Sequence, residues 1–197
     1  KVAVIGAGLM GSGIAAQVAN AGFPVTLLDI VPDGATNRNV IAESAVRKML
    51  KPVKLGSPAP LMHKKNAKLI TTGNIDDNLD LIKDADLIIE VVLERLDVKH
   101  DVFSKIQKYR KKGSIVTSNT STIPREQLVK GMSESFAKDF MITHFFNPPR
   151  YLRLLEIVSG SEVSSDKVQI VSDFCDINLG KEVVVCNDTC LLYTSDA

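Results

Sequence analysis

Short runs of branched apolar residues alternate along this chain with longer stretches whose apolar positions recur at helical spacing. VAVI (2–5), PVTLLDI (24–30), LITT (69–72), ADLIIEVV (85–92), SIVTSN (114–119) and DFMITHF (139–145) read as strands. Their nearly continuous apolar character marks strands covered on both faces. Between them, residues 12–21 (SGIAAQVANA), 38–51 (RNVIAESAVRKMLK) and 96–110 read as helices, the second with Val40, Ile41, Ala45, Met49 and Leu50 inward. GSPAP (56–60) interrupts the pattern. RLLEIV (153–158) is expected to pair at the sheet edge, followed by a helix near 165–178 and a last strand, EVVVC (182–186). This alternation predicts an α/β fold, doubly wound around a mostly parallel sheet with an edge strand or two antiparallel.

Composition narrows the picture only modestly. At 197 residues the chain is one domain, or one with an appendage, and long enough for a sizeable core. A formal net charge of +1 gives no global reason to expect nucleic acid, and no apolar run approaches the roughly 20 residues of a membrane span. Residue 1 already belongs to a strand-like run, so no signal peptide is expected and the chain reads as cut from something longer. Cys175, Cys186 and Cys190 are odd in number, late, and without CxxC spacing. That favours a reducing compartment and argues against a disulfide framework or a metal site.

Immediately after the first strand comes GAGLMG (6–11), a G-x-G-x-x-G that opens a helix. Alone the motif is weak; between a strand and a small-residue helix it points to a Rossmann-like dinucleotide site. Gly6 permits the tight turn, Gly8 lets the backbone approach a pyrophosphate, and Gly11 lets helix and strand pack closely. The motif carries Leu9 and Met10 to the same cofactor face. Asp29 ends the next strand, eighteen residues past Gly11, where it can accept hydrogen bonds from the adenosine ribose. Its charge would repel a 2′-phosphate, which favours NAD over NADP.

Three segments then deliver polar residues just beyond apolar strands: Glu94 and Lys99, then Ser118 to Ser121, then His144 and Asn147. Oxidation of a secondary alcohol needs a base for the hydroxyl proton, and histidine suits that role near neutral pH. Glu156, twelve residues after His144, is its candidate partner if RLLEIV runs back beside ITHF. A core histidine and an exposed edge-strand carboxylate would produce the same letters, so the pairing rests on geometry. Between Glu43 and Asp76 no acid occurs, while Arg47, Lys48, Lys51, Lys54, Lys64, Lys65 and Lys68 do. Such a basic stretch suits either an anionic ligand or a solvated helix face.

GAGLMGSGIA, VLERLDVK, SNTSTI, HFFNPP, LLEIV and GKEVVVCNDT together resemble the NAD-binding domain of 3-hydroxyacyl-CoA dehydrogenases, over residues 1 to about 189. The resemblance implies NAD as cofactor, an acyl-CoA substrate and a place in fatty-acid β-oxidation. It implies His144 as general base with Glu156 as its carboxylate partner. Ser121 would bond the substrate 3-oxygen, and Asn147 would lie beside the nicotinamide. Glu94 and Lys99 match positions on the ribose and nicotinamide side, while Ser44 and Lys51 match, more loosely, positions that bind CoA. A longer parent is expected to be a homodimer or a multifunctional enzyme carrying enoyl-CoA hydratase, in the bacterial cytoplasm or in a mitochondrion or peroxisome.

Where the family continues with a Pro-Gly-Phe segment and a helical domain, this chain reads CLLYTSDA (190–197), a non-matching tail. The expected division is therefore 1–189 as the NAD-binding domain and 190–197 as a truncation junction or sequence artefact, and the chain by itself is expected to be inactive in catalysis. Two other readings keep the fold: a related β-hydroxyacid or 3-hydroxybutyryl-CoA dehydrogenase, and a nucleotide-binding module without catalysis.

Overall fold

In a computed structural model, which describes residues 1–52 and 57–188, the alternating pattern forms a single twisted sheet with helices on both faces. The strands are β1 (Val2–Ile5), β2 (Val25–Asp29), β3 (Ile70–Asn74), β4 (Leu87–Glu90), β5 (Ile115–Ser118), β6 (Phe140–Phe145), β7 (Leu154–Ser159) and β8 (Glu182–Cys186). The helices are α1 (Leu9–Asn20), α2 (Val40–Met49), α3 (Leu96–Tyr109), α4 (Arg125–Val129), α5 (Glu134–Ala137) and α6 (Ser165–Asp173).

The strand order is β3-β2-β1-β4-β5-β6-β7-β8. Strands β1 to β6 are parallel; β7 runs antiparallel to β6, and β8 lies parallel to β7. The chain winds outward from β1 through β2 to β3, then returns to place β4 on β1's other side. The β1–β4 junction is the topological switch point, outside whose carboxyl end ligands bind in open sheets of this kind.

Alternation along the strands separates two cores. Val2, Val4, Leu27, Ile89 and Met141 face α1 and α2, joined by Leu155, Ile157 and Val171 of α6. Ala3, Ile5, Ile88, Val116, Phe140 and Ile142 face Phe103 and Ile106 of α3, Leu128 of α4 and Phe136 of α5. Phe103 anchors this second core, its ring 5.6 Å from Phe136 and 5.2 Å from Phe140, centroid to centroid.

Several sequence expectations are corrected. RLLEIV is not the sheet edge, because β8 continues the sheet beyond it. The first helix starts at Leu9, within the glycine motif, rather than at residue 12. On α2 the buried stripe is Ala42, Ala45 and Met49, with Ile41 and Leu50 only partly covered. The helix expected to run to 178 changes at Phe174 into a wider turn over Phe174–Asn178, which buries Cys175. Burial pushes that thiol up to about 12, so it stays protonated at neutral pH. Residues 190–197, Lys54 and Gly56 lie outside the described residues. Among the described residues no helix is long and apolar enough to cross a membrane.

Phe103 is fully enclosed and touches two further rings. Phe103→Ala is therefore expected to lower the unfolding free energy by about 3–5 kcal/mol, read from urea denaturation.

Candidate active site

The glycine turn is shaped by close backbone approach. Gly6 has a φ of 108°, and a Cβ there would strike the Val91 carbonyl. A Cβ on Gly11 would strike the carbonyl oxygen of Gly6 itself. By contrast, a Cβ on Gly8 would meet nothing within 4 Å, so the backbone at Gly8 borders open space. Gly8 caps α1 without a side-chain hydrogen bond, and the first turn of the helix holds no acid. Unclaimed N–H groups and the positive helix end therefore face that space, as a pyrophosphate requires. Leu9 projects into solvent at 71% exposure, whereas Met10 packs partly against the first core.

Asp29 sits at the end of β2 beside this turn. Its carboxylate accepts hydrogen bonds from the backbone N–H groups of Ala7, at 2.5 Å, and Ile30, at 2.6 Å. One acid thereby ties β2 to the glycine loop while remaining partly exposed at the rim. The open Gly8 backbone, the uncapped helix and this rim acid fit a dinucleotide.

On the other side of the switch point, register and alternation line up four polar side chains on the α3-facing side of the sheet. Glu90 of β4 lies opposite Ser118 of β5, and Ser118 lies opposite Ile142 of β6. His144 is two residues beyond Ile142, so it shares that face, and it lies directly opposite Glu156 of β7. The His144 Nδ1–Glu156 Oε2 distance is 2.8 Å, with side-chain exposures of 12% and 2%. A carboxylate only accepts, so Nδ1–H donates, which leaves Nε2 as the ring nitrogen that can take a proton. The Phe146 ring lies 4.5 Å from the imidazole, centroid to centroid.

Ser121 stands in the loop after β5, and that loop is gathered around Glu94. The Glu94 carboxylate accepts from the Thr120 hydroxyl, from the Thr122 hydroxyl at 3.0 Å, and from the backbone N–H groups of Ser121 and Thr122 at 3.2 and 3.3 Å. Burial pushes the Glu94 carboxyl up, but the Thr120 hydroxyl and the Lys99 ammonium more than offset this and hold it below the usual range. Lys99 is turned into the protein, 1% exposed, with its ammonium 2.8 Å from Glu90 and 3.2 Å from Glu94. Asn119 accepts from the Phe145 N–H at 2.9 Å and so fixes the loop after β5 to the strand carrying His144.

Asn147 is exposed in the turn that follows His144. That turn is pinned from three sides. A Cβ on Gly13 of α1 would come within 3.1 Å of the Pro149 ring, Arg150 donates to the Ala59 carbonyl, and buried Lys181 donates to the carbonyls of Pro149 and Leu152. Ser44 and Lys51 lie apart from this group. Ser44 is on α2, whose packing is against α1, β2 and β3, and its hydroxyl accepts from Arg47 at 2.7 Å; Lys51 is exposed just past that helix.

Glu90 and Lys181 do not stand out in the sequence as site residues, and Asn119 does so only as one of several polar loop residues. Glu90 had a visible signal, a single acid inside the apolar run LIIEVV, which must find partners if the strand is buried. Lys181 had none, since a lysine after a glycine at a strand start reads as surface.

Fold and site together define a dinucleotide-binding α/β domain with a histidine–carboxylate pair beside the cofactor crevice. Residues 1–189 match the family described as 3-hydroxyacyl-CoA dehydrogenase, NAD binding domain, and the chain belongs to that family, whose cofactor is NAD. It is 47% identical over 188 residues to a probable 3-hydroxyacyl-CoA dehydrogenase of Deinococcus radiodurans, covering 95% of this chain and 53% of that protein. It is 44% identical to a putative fatty acid oxidation complex trifunctional enzyme of Rickettsia felis, covering 96% of this chain but 26% of that protein. The chain thus spans about half the length of the first of these curated relatives and about a quarter of the second. Among solved structures, it resembles the 3-hydroxyacyl-CoA dehydrogenase of Archaeoglobus fulgidus at TM-score 0.77 and 29% identity, covering 99% of this chain and 59% of that one. It also resembles the 3-hydroxybutyryl-CoA dehydrogenase of Escherichia coli at TM-score 0.75 and 28% identity, covering 96% and 38% respectively.

Because the Glu94 carboxyl is held below its ordinary value, its contribution to stability is complete above about pH 4.3 and is lost as pH falls through the folded value. Glu94→Gln is expected to show a shallower loss of stability than the parent chain between about pH 5 and 3, followed by urea unfolding across that range.

Proposed function

We propose that the chain is the nucleotide-binding part of an NAD-dependent L-3-hydroxyacyl-CoA dehydrogenase acting in fatty-acid β-oxidation. The observation that carries this reading is the His144–Glu156 pair, its carboxylate buried and its imidazole partly so, 2.8 Å apart and one strand from the Ser121 loop. In the proposed reaction, His144 Nε2 removes the hydroxyl proton of the substrate as the C3–O bond becomes a carbonyl. Glu156 holds the imidazole in the Nδ1–H tautomer and stabilises the imidazolium that forms. NAD, when bound, accepts the hydride from C3. Ser121 and Asn147 orient the 3-oxygen toward His144, and Asn147 borders the nicotinamide. Gly6, Gly8, Leu9, Met10 and Gly11 flank the pyrophosphate, Asp29 takes the adenosine ribose, and Glu94 with Lys99 shapes the nicotinamide end. Ser44 and Lys51 are proposed to meet the CoA moiety from α2.

Residues 1–189 act in this reading as the NAD-binding domain of a longer protein that is a homodimer or a multifunctional enzyme with an enoyl-CoA hydratase. Similarity to the E. coli 3-hydroxybutyryl-CoA dehydrogenase supports a second reading, in which the same chemistry serves a short acyl-CoA. Assay of acetoacetyl-CoA against longer 3-ketoacyl-CoA substrates separates the two.

In the protein extended to the length of its relatives, His144→Ala is expected to lower turnover by roughly 10²- to 10⁴-fold while NADH affinity is preserved. Turnover close to that of the parent would remove His144 from the role of base.

A further inference from the structure

Glu90 is a carboxylate with no exposed surface at the carboxyl end of β4, beside the cofactor crevice. A charge in such a place persists only with partners, and here it has three donors. Oε2 accepts from the Ser118 hydroxyl at 2.6 Å; Oε1 accepts from the Val92 N–H at 2.7 Å and from Lys99 Nζ at 2.8 Å. Two of these partners, Ser118 and Lys99, lead toward the loop that carries Ser121. The Ser118 oxygen accepts from the Thr120 N–H at 3.3 Å, and the Lys99 ammonium reaches on to Glu94, which gathers Thr120, Ser121 and Thr122. The Glu90 carbonyl additionally accepts from the Asn119 N–H at 2.9 Å.

We infer that Glu90 is a positioning residue for the nicotinamide end of the site, acting through Ser118 and Lys99 to hold the 119–122 loop against the crevice. This rests on the proposed NAD-binding reading. A dinucleotide laid across the switch point has its adenosine at Asp29 on β2, so its other end lies over β4 and β5. Glu90 reaches that end through two independent links. The Ser118 link runs through a charge-assisted bond to the Glu90 carboxylate and on to the Thr120 N–H, and the Lys99 link fixes an ammonium between two carboxylates. Loss of the Glu90 charge frees Lys99 to swing wholly to Glu94 and weakens the hold on Ser118, so the loop shifts while the glycine turn and Asp29 stay in place.

The test compares two ligands on this chain: NADH, titrated by its fluorescence, and ADP-ribose, which lacks the nicotinamide and is measured by calorimetry. Glu90→Gln, nearly isosteric but uncharged, is expected to weaken NADH roughly tenfold with ADP-ribose unchanged, and Glu90→Asp to recover part of the loss. Ser118→Ala cuts one link, keeps the buried ion pair, and is expected to move the same ratio in the same direction. It carries the test if Glu90→Gln does not fold. A general loss of stability would weaken both ligands together. An unchanged NADH to ADP-ribose ratio in either folded variant overturns the positioning role, and so does a parent chain that binds the two ligands equally. A parent chain that binds neither overturns the NAD-binding reading itself.

Discussion

The architecture turns on one crowded point, where the backbone of β1 passes into the glycine turn between β2 and β4. Gly6 leaves no room for a side chain against Val91, and Gly11 leaves none against Gly6. This double contact lets α1 begin directly over the switch point, so its N-terminal N–H groups face the crevice rather than the side of the sheet. Asp29 fastens the same turn to β2 through the Ala7 N–H. Any side chain at either glycine would lift the helix and carry the candidate phosphate site with it.

Beyond the switch point, the site is organised by pleat and register. Glu90, Ser118, His144 and Glu156 come from four adjacent strands and share one face because each strand alternates in step with its neighbours. A one-residue slip of β7 against β6 would send Glu156 to the opposite core and leave His144 facing a leucine or isoleucine. The antiparallel return of β7 thus has a chemical consequence as well as a topological one. The buried charges at β4 behave similarly, since Glu90 and Lys99 are tolerated inside because each completes the other's bonding and both reach the Ser121 loop.

Much of this was legible in advance for a definite reason. Strands buried on both faces spell themselves as Val- and Ile-rich runs, and the glycine motif is local, so the parallel sheet, α1 and the place of Asp29 followed from neighbouring letters. The short helices α4 and α5 were not anticipated because five and four residues are too few to display a helical period. The sequence pattern puts the edge at β7, whereas β8, with Val184 and Val185 exposed, lies on the rim although it spells like a buried strand.

Sequence alone determined the class of the fold, the cofactor end and the residue types available for proton transfer, because those depend on composition and spacing within single elements. Tertiary structure decided which of them meet. It set His144 against Glu156 across an antiparallel ladder, closed the Ser121 loop around Glu94, and buried Lys181 under the turn that carries Asn147. Those contacts join residues far apart in the chain, and their distances are fixed by strand register and backbone contact, quantities that no single segment contains.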